Sequence, residues 1–433
     1  MARVAIWLLV LLLAAPAAIF SSAPPQTETA SSRLASVRVN GSSHFTSEQI
    51  APYTGLTPGT MVTRADLQSA ANRLADLGCF SGVQYKFSTG PSGVDVQYSV
   101  ADAPELAVEF DNFIWFNDAQ LAAGLTQSGF LFDGQAPDHG ILLDDLSSAL
   151  EKLLDARGVH AEVSHQISQD PASGNRVVQF SVEGLDLTVS SLDFTDPLAK
   201  SSPEIQQLQN EIVGKPYSRI RLELFEQEHV LPLYHSHAYL QAGFGPTSAR
   251  FTPVPGSPSP NAIAAVIAVN PGLAYKWGGV VWQGRTAMPS SLLDALVDLK
   301  PGDLADGVKL QGLWFRVQDL YGQHGYLDAT VSPNPEFDKN TDRVTFDVTI
   351  HDGPQYHMDK LVLSGLSIEG ERRIRAAWPI PEGNIFDASA YQTFLTTGIK
   401  DAFAGLPVHY DKIGRFLDKH PDTAQVNVLM DFE

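Results

Sequence analysis

Five glycines, Gly78, Gly158, Gly243, Gly325 and Gly405, each close an amphipathic stretch, and an apolar residue follows within two positions. By subtraction they lie 80, 85, 82 and 80 residues apart. Near-constant recurrence of one pattern along the chain is the signature of a tandem array, in which each unit has its own modest core and leans mainly on its neighbours. It argues against one large shared core. It also moves the question of function from a single active site to the surface of a repeated unit.

The first repeat reads most clearly. Val37-Arg38-Val39-Asn40-Gly41 alternates as a short strand, and Thr46 with Gln49 matches a capping box. Gly55-Leu56-Thr57-Pro58-Gly59 punctuates the chain before an amphipathic helix from Thr63 to Leu77, whose Thr63 and Asp66 form a second, weaker box. Leu67, Ala70, Ala71 and Leu74 keep the spacing of one buried helix face. After Gly78-Cys79-Phe80, Val83, Tyr85 and Phe87 alternate with polar residues, as do Val94, Val96 and Tyr98 beyond the turn Gly90-Pro91-Ser92-Gly93, which predicts a hairpin.

The same order recurs. The second repeat opens at Val108-Glu109-Phe110-Asp111, carries a helical stripe of Leu143, Leu146, Leu150, Leu153 and Leu154 ended by Arg157-Gly158, and closes on strands Ala161–Ile167 and Arg176–Val182. In the third, Asp193-Phe194 ends a strand and Gly214-Lys215-Pro216 is the punctuation. A helix over Ser218–Gln241 is expected to kink or break at Pro232 and to end at Gly243-Phe244. Pro253 to Pro260 reads as a solvated hairpin loop and Ala264–Val269 as the closing strand. The fourth repeat has Tyr275–Gln283, Pro301-Gly302, a stripe of Leu310, Leu313, Trp314, Val317, Leu320 and Tyr321, Gly325-Tyr326, and a strand through Val344 and Ile350. The fifth has Leu361–Gly365, Pro381-Glu382-Gly383, a stripe of Tyr391, Phe394, Leu395, Ile399 and Ala402, Gly405, and a last strand from Gln425 to Phe432. The expected fold class is α+β: five tandem small β-α-α-β-β units over 35–103, 104–184, 185–271, 272–353 and 354–433, each a three-stranded sheet packed on two helices.

Ahead of the array, residues 1–23 read as a signal peptide or N-terminal anchor. Arg3 is followed by the apolar run Val4–Leu13 and by the small residues Ala14, Ala15, Ala17 and Ala18, with cleavage expected after Ala17 or Ala18. Residues 24–34 read as a flexible linker. With 29 basic against 49 acidic residues, the chain carries a formal charge of −20, which argues against general nucleic-acid binding and against electrostatic attachment to anionic lipid. The single cysteine, Cys79, precludes an intrachain disulfide and reads as a small buried apolar residue.

On Val39-Asn40-Gly41, the Gly55–Gly59 turn and Leu74 through Gly78-Cys79-Phe80, the first repeat resembles the POTRA domain, the polypeptide-transport-associated repeat of bacterial surface antigens. Pro301-Gly302 with Gly325-Tyr326, and Pro381-Glu382-Gly383 with Gly405, carry the resemblance into the fourth and fifth repeats. The second and third follow by order and spacing. The resemblance implies a periplasmic location, and partners that are outer-membrane β-barrel proteins or their assembly partners. It implies β-augmentation as the contact, with any membrane association indirect or through the N-terminal segment. A barrel would need many further alternating segments. Because five units take up residues 35–433, docking and scaffolding are expected rather than direct insertion. The other expectation is a structural envelope spacer without client binding.

No catalytic, cofactor-binding or metal-ligating set stands out, and no cofactor is expected. His235 and His237 diverge on a helix, as do Asp144 and Asp145, and read as solvated helix faces. Neither Gly278-Gly279 nor Gly322–Gly325 is followed by the Lys-Ser/Thr of a phosphate loop. The candidate docking edges are the second strands: Val83, Tyr85 and Phe87 (Val83–Ser88), Leu327, Ala329 and Val331 (Leu327–Ser332), and Val408 and Tyr410 (Val408–Lys412).

Overall fold

A computed structural model describes residues 31–252, 262–285, 287–405 and 410–433. The segment read as a signal peptide or N-terminal anchor, most of the stretch read as a linker, residues 253–260 and Val408 lie outside the described residues. The chain divides into two compact units, one within Met1–Val108 and Ala119–Leu153, the other Glu109–Asp118 with Leu154–Glu433.

In the first compact unit, β1 (Ser32–Asn40) leads through α1 (Ser47–Ile50) and a 3₁₀ turn, Ala51–Thr54, to β2 (Met61–Val62) and α2 (Arg64–Asp76), then to the hairpin β3 (Phe80–Gly90) and β4 (Gly93–Asp102). The sheet order is β2-β1-β4-β3, with β1 and β4 parallel and the other pairs antiparallel. β1 thus begins inside the stretch read as linker, because Leu34 is buried there and Arg33 pairs with Met61. Both capping boxes form: Thr46 with Gln49 at α1, and Thr63 with Asp66 at α2. The buried residues of α2 are Leu67, Ala70, Ala71 and Leu74, the stripe read from the sequence. Burying a leucine fully contributes about 2 kcal/mol, so this one face accounts for much of the repeat's stability. Buried Tyr98 donates its hydroxyl to the Leu67 carbonyl at 2.9 Å, tying the sheet to α2. The second repeat starts with β5 (Glu105–Phe110), α3 (Asp118–Gln127), β6 (Gln135–Pro137), which pairs with the start of β5, and α4 (Ile141–Asp155).

In the second compact unit, β7 (Glu162–Gln169) and β8 (Arg176–Glu183) form the hairpin of the second repeat. The third repeat has β9 (Thr188–Phe194), α5 (Pro197–Ser201), α6 (Pro203–Leu208), α7 (Arg219–Phe225), α8 (Leu231–Ser236), β10 (Gly243–Phe244), β11 (Ser248–Phe251), β12 (Ala262–Ile267) and β13 (Val269–Asn270). The fourth has β14 (Lys276–Gln283), α9 (Ser290–Asp294), α10 (Gly307–Gln323), β15 (Thr330–Asp338) and β16 (Arg343–His351). The fifth has β17 (His357–Ser364), α11 (Ile368–Ala377), α12 (Ala388–Thr393), α13 (Ile399–Ala402), β18 (Ile413–His420) and β19 (Gln425–Phe432). Their sheets run β11-β12-β9, β14-β16-β15 and β17-β19-β18, each with a parallel pair and an antiparallel hairpin. The five β-α-α-β-β units expected from the sequence are present.

The third repeat departs from the reading of its helix at the end. As expected, the α-helix is interrupted beside Pro232: a π turn, Glu226–Val230, separates α7 from α8, and the proline lies at the start of α8. The helical run ends at Ser236 rather than Gln241. Ala238, at φ 65°, is the left-handed residue that terminates it, and the Tyr239 N–H returns to the Tyr234 carbonyl. Gly243, expected to end this helix, instead opens β10. The left-handed positions are Gly78, Gly158, Ala238, Gly325 and Gly405. By subtraction they are 80, 80, 87 and 80 residues apart.

Candidate protein-docking edges

One turn device decides which sheet edges stay free. Gly59, Gly214, Gly302 and Gly383 all have positive φ. Each donates its N–H to a first-strand carbonyl: Leu34, Val189, Trp277 and Met358 at 2.7–2.9 Å. The short segment that follows lies antiparallel along that strand, as β2 in the first repeat and as the bridges Thr188–Pro216, Lys276–Leu304 and His357–Ile385 later. The outer side of the first strand is therefore partly covered. Among the described residues, the hairpin strand at the opposite end, β3, β11, β15 or β18, has a neighbouring strand on one side only. Its other row of N–H and C=O groups is available to an added strand.

These edges are not equivalent. β15 carries Pro333 and Pro335, paired with Val348 and Phe346. Two residues apart, both prolines present nitrogen to the same side. Since the ladder to β16 is intact, that side is the free one, and two outward donors are missing there. β11 has only four residues. β18 runs for eight residues and exposes Phe416. β3 is the longest at eleven residues and contains no proline. Its Val83, Tyr85 and Phe87 lie opposite Val100, Tyr98 and Val96, on the core-facing side. The helices do not fully cover them: Phe87 is 48% exposed, while the Tyr85 ring sits 5.6 Å from that of Tyr98. A groove of about 420 Å³ adjoins the same strand, with Arg38, Lys86 and Phe87 in its lining.

The strands of the fourth and fifth repeats start later than the sequence reading placed them. Leu327 lies in a turn and packs against the core of the fifth repeat, and Ala329 is buried in that of the fourth; neither is on the edge. Val331 does lie on β15. Tyr410 precedes β18 and packs tilted or edge-on against Phe403 and Phe432, both ring centroids 5.2 Å away. The edge residue missed was Phe416. Its segment, Gly414-Arg415-Phe416-Leu417-Asp418, lacks clean alternation.

Leu327 thus sits at a junction between repeats, where backbone and side-chain hydrogen bonds also gather. The Tyr275 N–H donates to the Ala238 carbonyl, and the Tyr356 N–H donates to the Gly325 carbonyl. Their hydroxyls donate three residues further on, Tyr275 to Gln241 at 2.7 Å and Tyr356 to Asp328 at 2.5 Å. Lys419 also reaches Asp328. Burial works against it, yet Lys419 and Tyr356 hold the Asp328 carboxyl below the usual carboxylate range. Between the second and third repeats, Asp111 accepts from Ser218 Oγ and the Ile220 N–H, each at 3.0 Å, capping α7. The left-handed helix ends of the third and fourth repeats are thus hydrogen-bonded by the opening of the repeat that follows.

The family model described as POTRA, surface antigen variable number repeat, matches residues 32–102 and 275–353. These segments are POTRA domains. The remaining repeats of the POTRA array share their element order. A putative outer membrane protein assembly factor of Treponema pallidum is 22% identical over 242 residues, and the chain spans 28% of that relative's length. POTRA domains 3–5 of Haemophilus influenzae BamA are 18% identical, covering 57% of this chain and 96% of theirs, with a TM-score of 0.43. POTRA domains 1–2 of the periplasmic domain of Omp85 from Anabaena are 26% identical over 36% of this chain and 98% of theirs, with a TM-score of 0.20. Among the described residues, no helix is long and apolar enough to cross a membrane.

POTRA domains are typically non-catalytic, and the polar groups singled out in this array have structural surroundings. Cys79 is buried, which pushes its thiol up to about 12, far from a reactive thiolate. His235 is half-buried against Gly307 rather than solvated, and burial lowers its pKa. His237 Nδ1 lies 2.8 Å from the Leu233 carbonyl. Asp144 is exposed, and Asp145, half-buried, is raised by burial and then by Asp144.

Proposed function

We propose that the POTRA array is a periplasmic protein-docking scaffold of the outer-membrane assembly type. Extended segments of outer-membrane proteins, or of their assembly partners, add to its free sheet edges, with β3 as the principal one. The observation that carries this reading is that β3 is an eleven-residue, proline-free edge with Phe87 48% exposed along it. Backbone pairing supplies affinity that is indifferent to client sequence, and the partly covered row Val83, Tyr85 and Phe87 favours clients that alternate apolar and polar residues. The acidic balance suits an acceptor of strands rather than of nucleic acid or anionic lipid.

The test is site-specific photocrosslinking of the full chain in envelope extracts. A photoreactive group at Phe87 is expected to capture unfolded outer-membrane proteins or assembly partners. The same group at Gln68, exposed on the far side of α2, is not. With the photoreactive group moved to Gln84, exposed on the same strand, Phe87→Asp should weaken capture by roughly tenfold, the scale of losing one buried aromatic contact. Equal capture at both positions, or none from a folded and abundant array, would overturn the docking reading and leave the spacer.

A further inference from the structure

We propose that His44, Glu105 and Asp133 form a binding site for one divalent transition-metal ion of the zinc class, which clips the loop after β1 to the start of the second repeat. His44 Nδ1 lies 2.8 Å from Asp133 Oδ2 and 3.8 Å from Glu105 Oε2, and the three donor atoms all fall within 4.8 Å of one another. Each is held from behind. Asp102 Oδ2 accepts from the Ser43 N–H and Oγ, both at 2.8 Å, and Ser42 Oγ accepts from the His44 and Phe45 N–H groups, so the His44 loop is pinned. Asp133 Oδ1 accepts from the Gln135 N–H at 3.2 Å, which turns Oδ2 toward His44. Glu105 opens β5, whose register with Pro137 of β6 fixes its backbone.

Glu105 is the group that an ordinary ion pair does not explain. Its side chain is only 6% exposed, and Oε2 is buried without a hydrogen-bond partner among the described residues. An unpaired buried carboxylate oxygen is among the costliest arrangements in a protein interior. The His44–Asp133 pair leaves it unsatisfied, because the imidazole nitrogen already faces Asp133. A dication satisfies all three donors at once: two carboxylates and a neutral imidazole balance its charge. Tetrahedral zinc with ligand bonds near 2.1 Å places donors about 3.4 Å apart, between the 2.8 and 3.8 Å separations present. One imidazole with two carboxylates favours zinc-class ions over calcium or magnesium. His44 and Asp133 are each 36% exposed, which gives the ion an entry path and a fourth position open to water. Sequence reading missed the set because its members lie 28 to 89 positions apart, by subtraction, on three different segments.

The experiment titrates the untagged full chain, stripped with a chelator, with Zn²⁺ by isothermal calorimetry, alongside thermal melts with and without the metal. One equivalent should bind saturably, and zinc should raise the melting temperature. Glu105→Gln keeps the shape and removes the charge. It should weaken zinc binding at least ~10-fold and abolish the melting shift, as should His44→Ala, with circular dichroism confirming the fold. Should either variant fail to fold, Asp133→Asn at its more exposed position gives the same readout. Affinity no tighter than ~1 mM, or Glu105→Gln binding zinc like the parent, would overturn the site.

Discussion

Gly365 provides the sharpest test of how these repeats are built. It follows β17 at φ +78°, and a Cβ there would fall 1.9 Å from the Phe432 carbonyl oxygen. Gly41 and Gly284 occupy the same place after β1 and β14, with 2.1 Å to the Val100 oxygen and 2.7 Å to the Ile350 oxygen. In Gly365→Ala, the left-handed backbone costs an L-residue about 1–2 kcal/mol. The overlap demands a shift of more than ~1 Å at the end of the β17–β19 pair, disturbing one or two hydrogen bonds worth about 1 kcal/mol each. The total is about 3 kcal/mol. Gly383 is the control: its φ is +81°, but nothing lies within 4 Å of the added Cβ, so Gly383→Ala should cost only the backbone term. A five-repeat array does not unfold as one two-state unit. The readout is therefore native-state hydrogen exchange of the full chain, followed over 357–364 and 425–432. Protection there should fall roughly 100-fold for Gly365→Ala and 5- to 10-fold for Gly383→Ala. Equal losses would refute the steric argument, because only the backbone term is common to both.

Two further outcomes follow from buried polar groups. Glu226 is only 4% exposed, and its pKa is pushed up to about 7, chiefly by burial and further by Glu223, against the Thr247 hydrogen bond. The folded state keeps a proton that the unfolded state releases near 4.5, so this group's contribution to stability falls as pH rises from 4.5 to about 7, by up to ~3 kcal/mol. Glu226→Gln should remove that slope, gaining on the parent with rising pH when exchange of the third repeat is compared between pH 4.5 and 8; a pH-independent difference would count against it. Tyr356→Phe should cost about 1–2 kcal/mol by deleting the Asp328 hydrogen bond, speeding exchange over 324–330 while the interior of β19 stays protected; melting of the whole fifth repeat would show the tyrosine to be core rather than junction.

Elements set by local periodicity were legible in the sequence. α2 and α10 bury the stripes that their 3.6-residue spacing predicts, and the capping boxes and turn glycines mark their starts. Elements set by long-range contacts were not. Leu327 and Ala329 look like the beginning of a strand because they alternate, yet they alternate between the cores of two repeats. The strand itself runs through Ser332-Pro333-Asn334-Pro335-Glu336, a segment of low β-propensity that only an edge position tolerates. Val83, Tyr85 and Phe87 fall on β3 where their alternation places them, because β3 is half-buried on one side and so keeps its period of two. Phe416 was missed because β18 does not.

Ala238 shows why repeats of one fold can match in order and spacing while differing in residues. Glycine is the natural choice for a left-handed helix end, and Gly158 and Gly405 fill that place with nothing among the described residues within 4 Å of an added Cβ. At Gly325 glycine is compulsory, since a Cβ would lie 2.8 Å from both Ile385 Cγ2 and the Tyr356 carbonyl. At the matching place in the third repeat, Ala238 accepts φ 65°, and its methyl is fully buried in the core of the fourth repeat with Tyr275, Trp277 and Leu310. The strain of about 1 kcal/mol is offset by packing that belongs to the next unit. The residue at each helix end is therefore selected by the neighbour that covers it. A motif defined inside one repeat blurs where the neighbour's demands differ, and the spacing, which the backbone geometry enforces, persists.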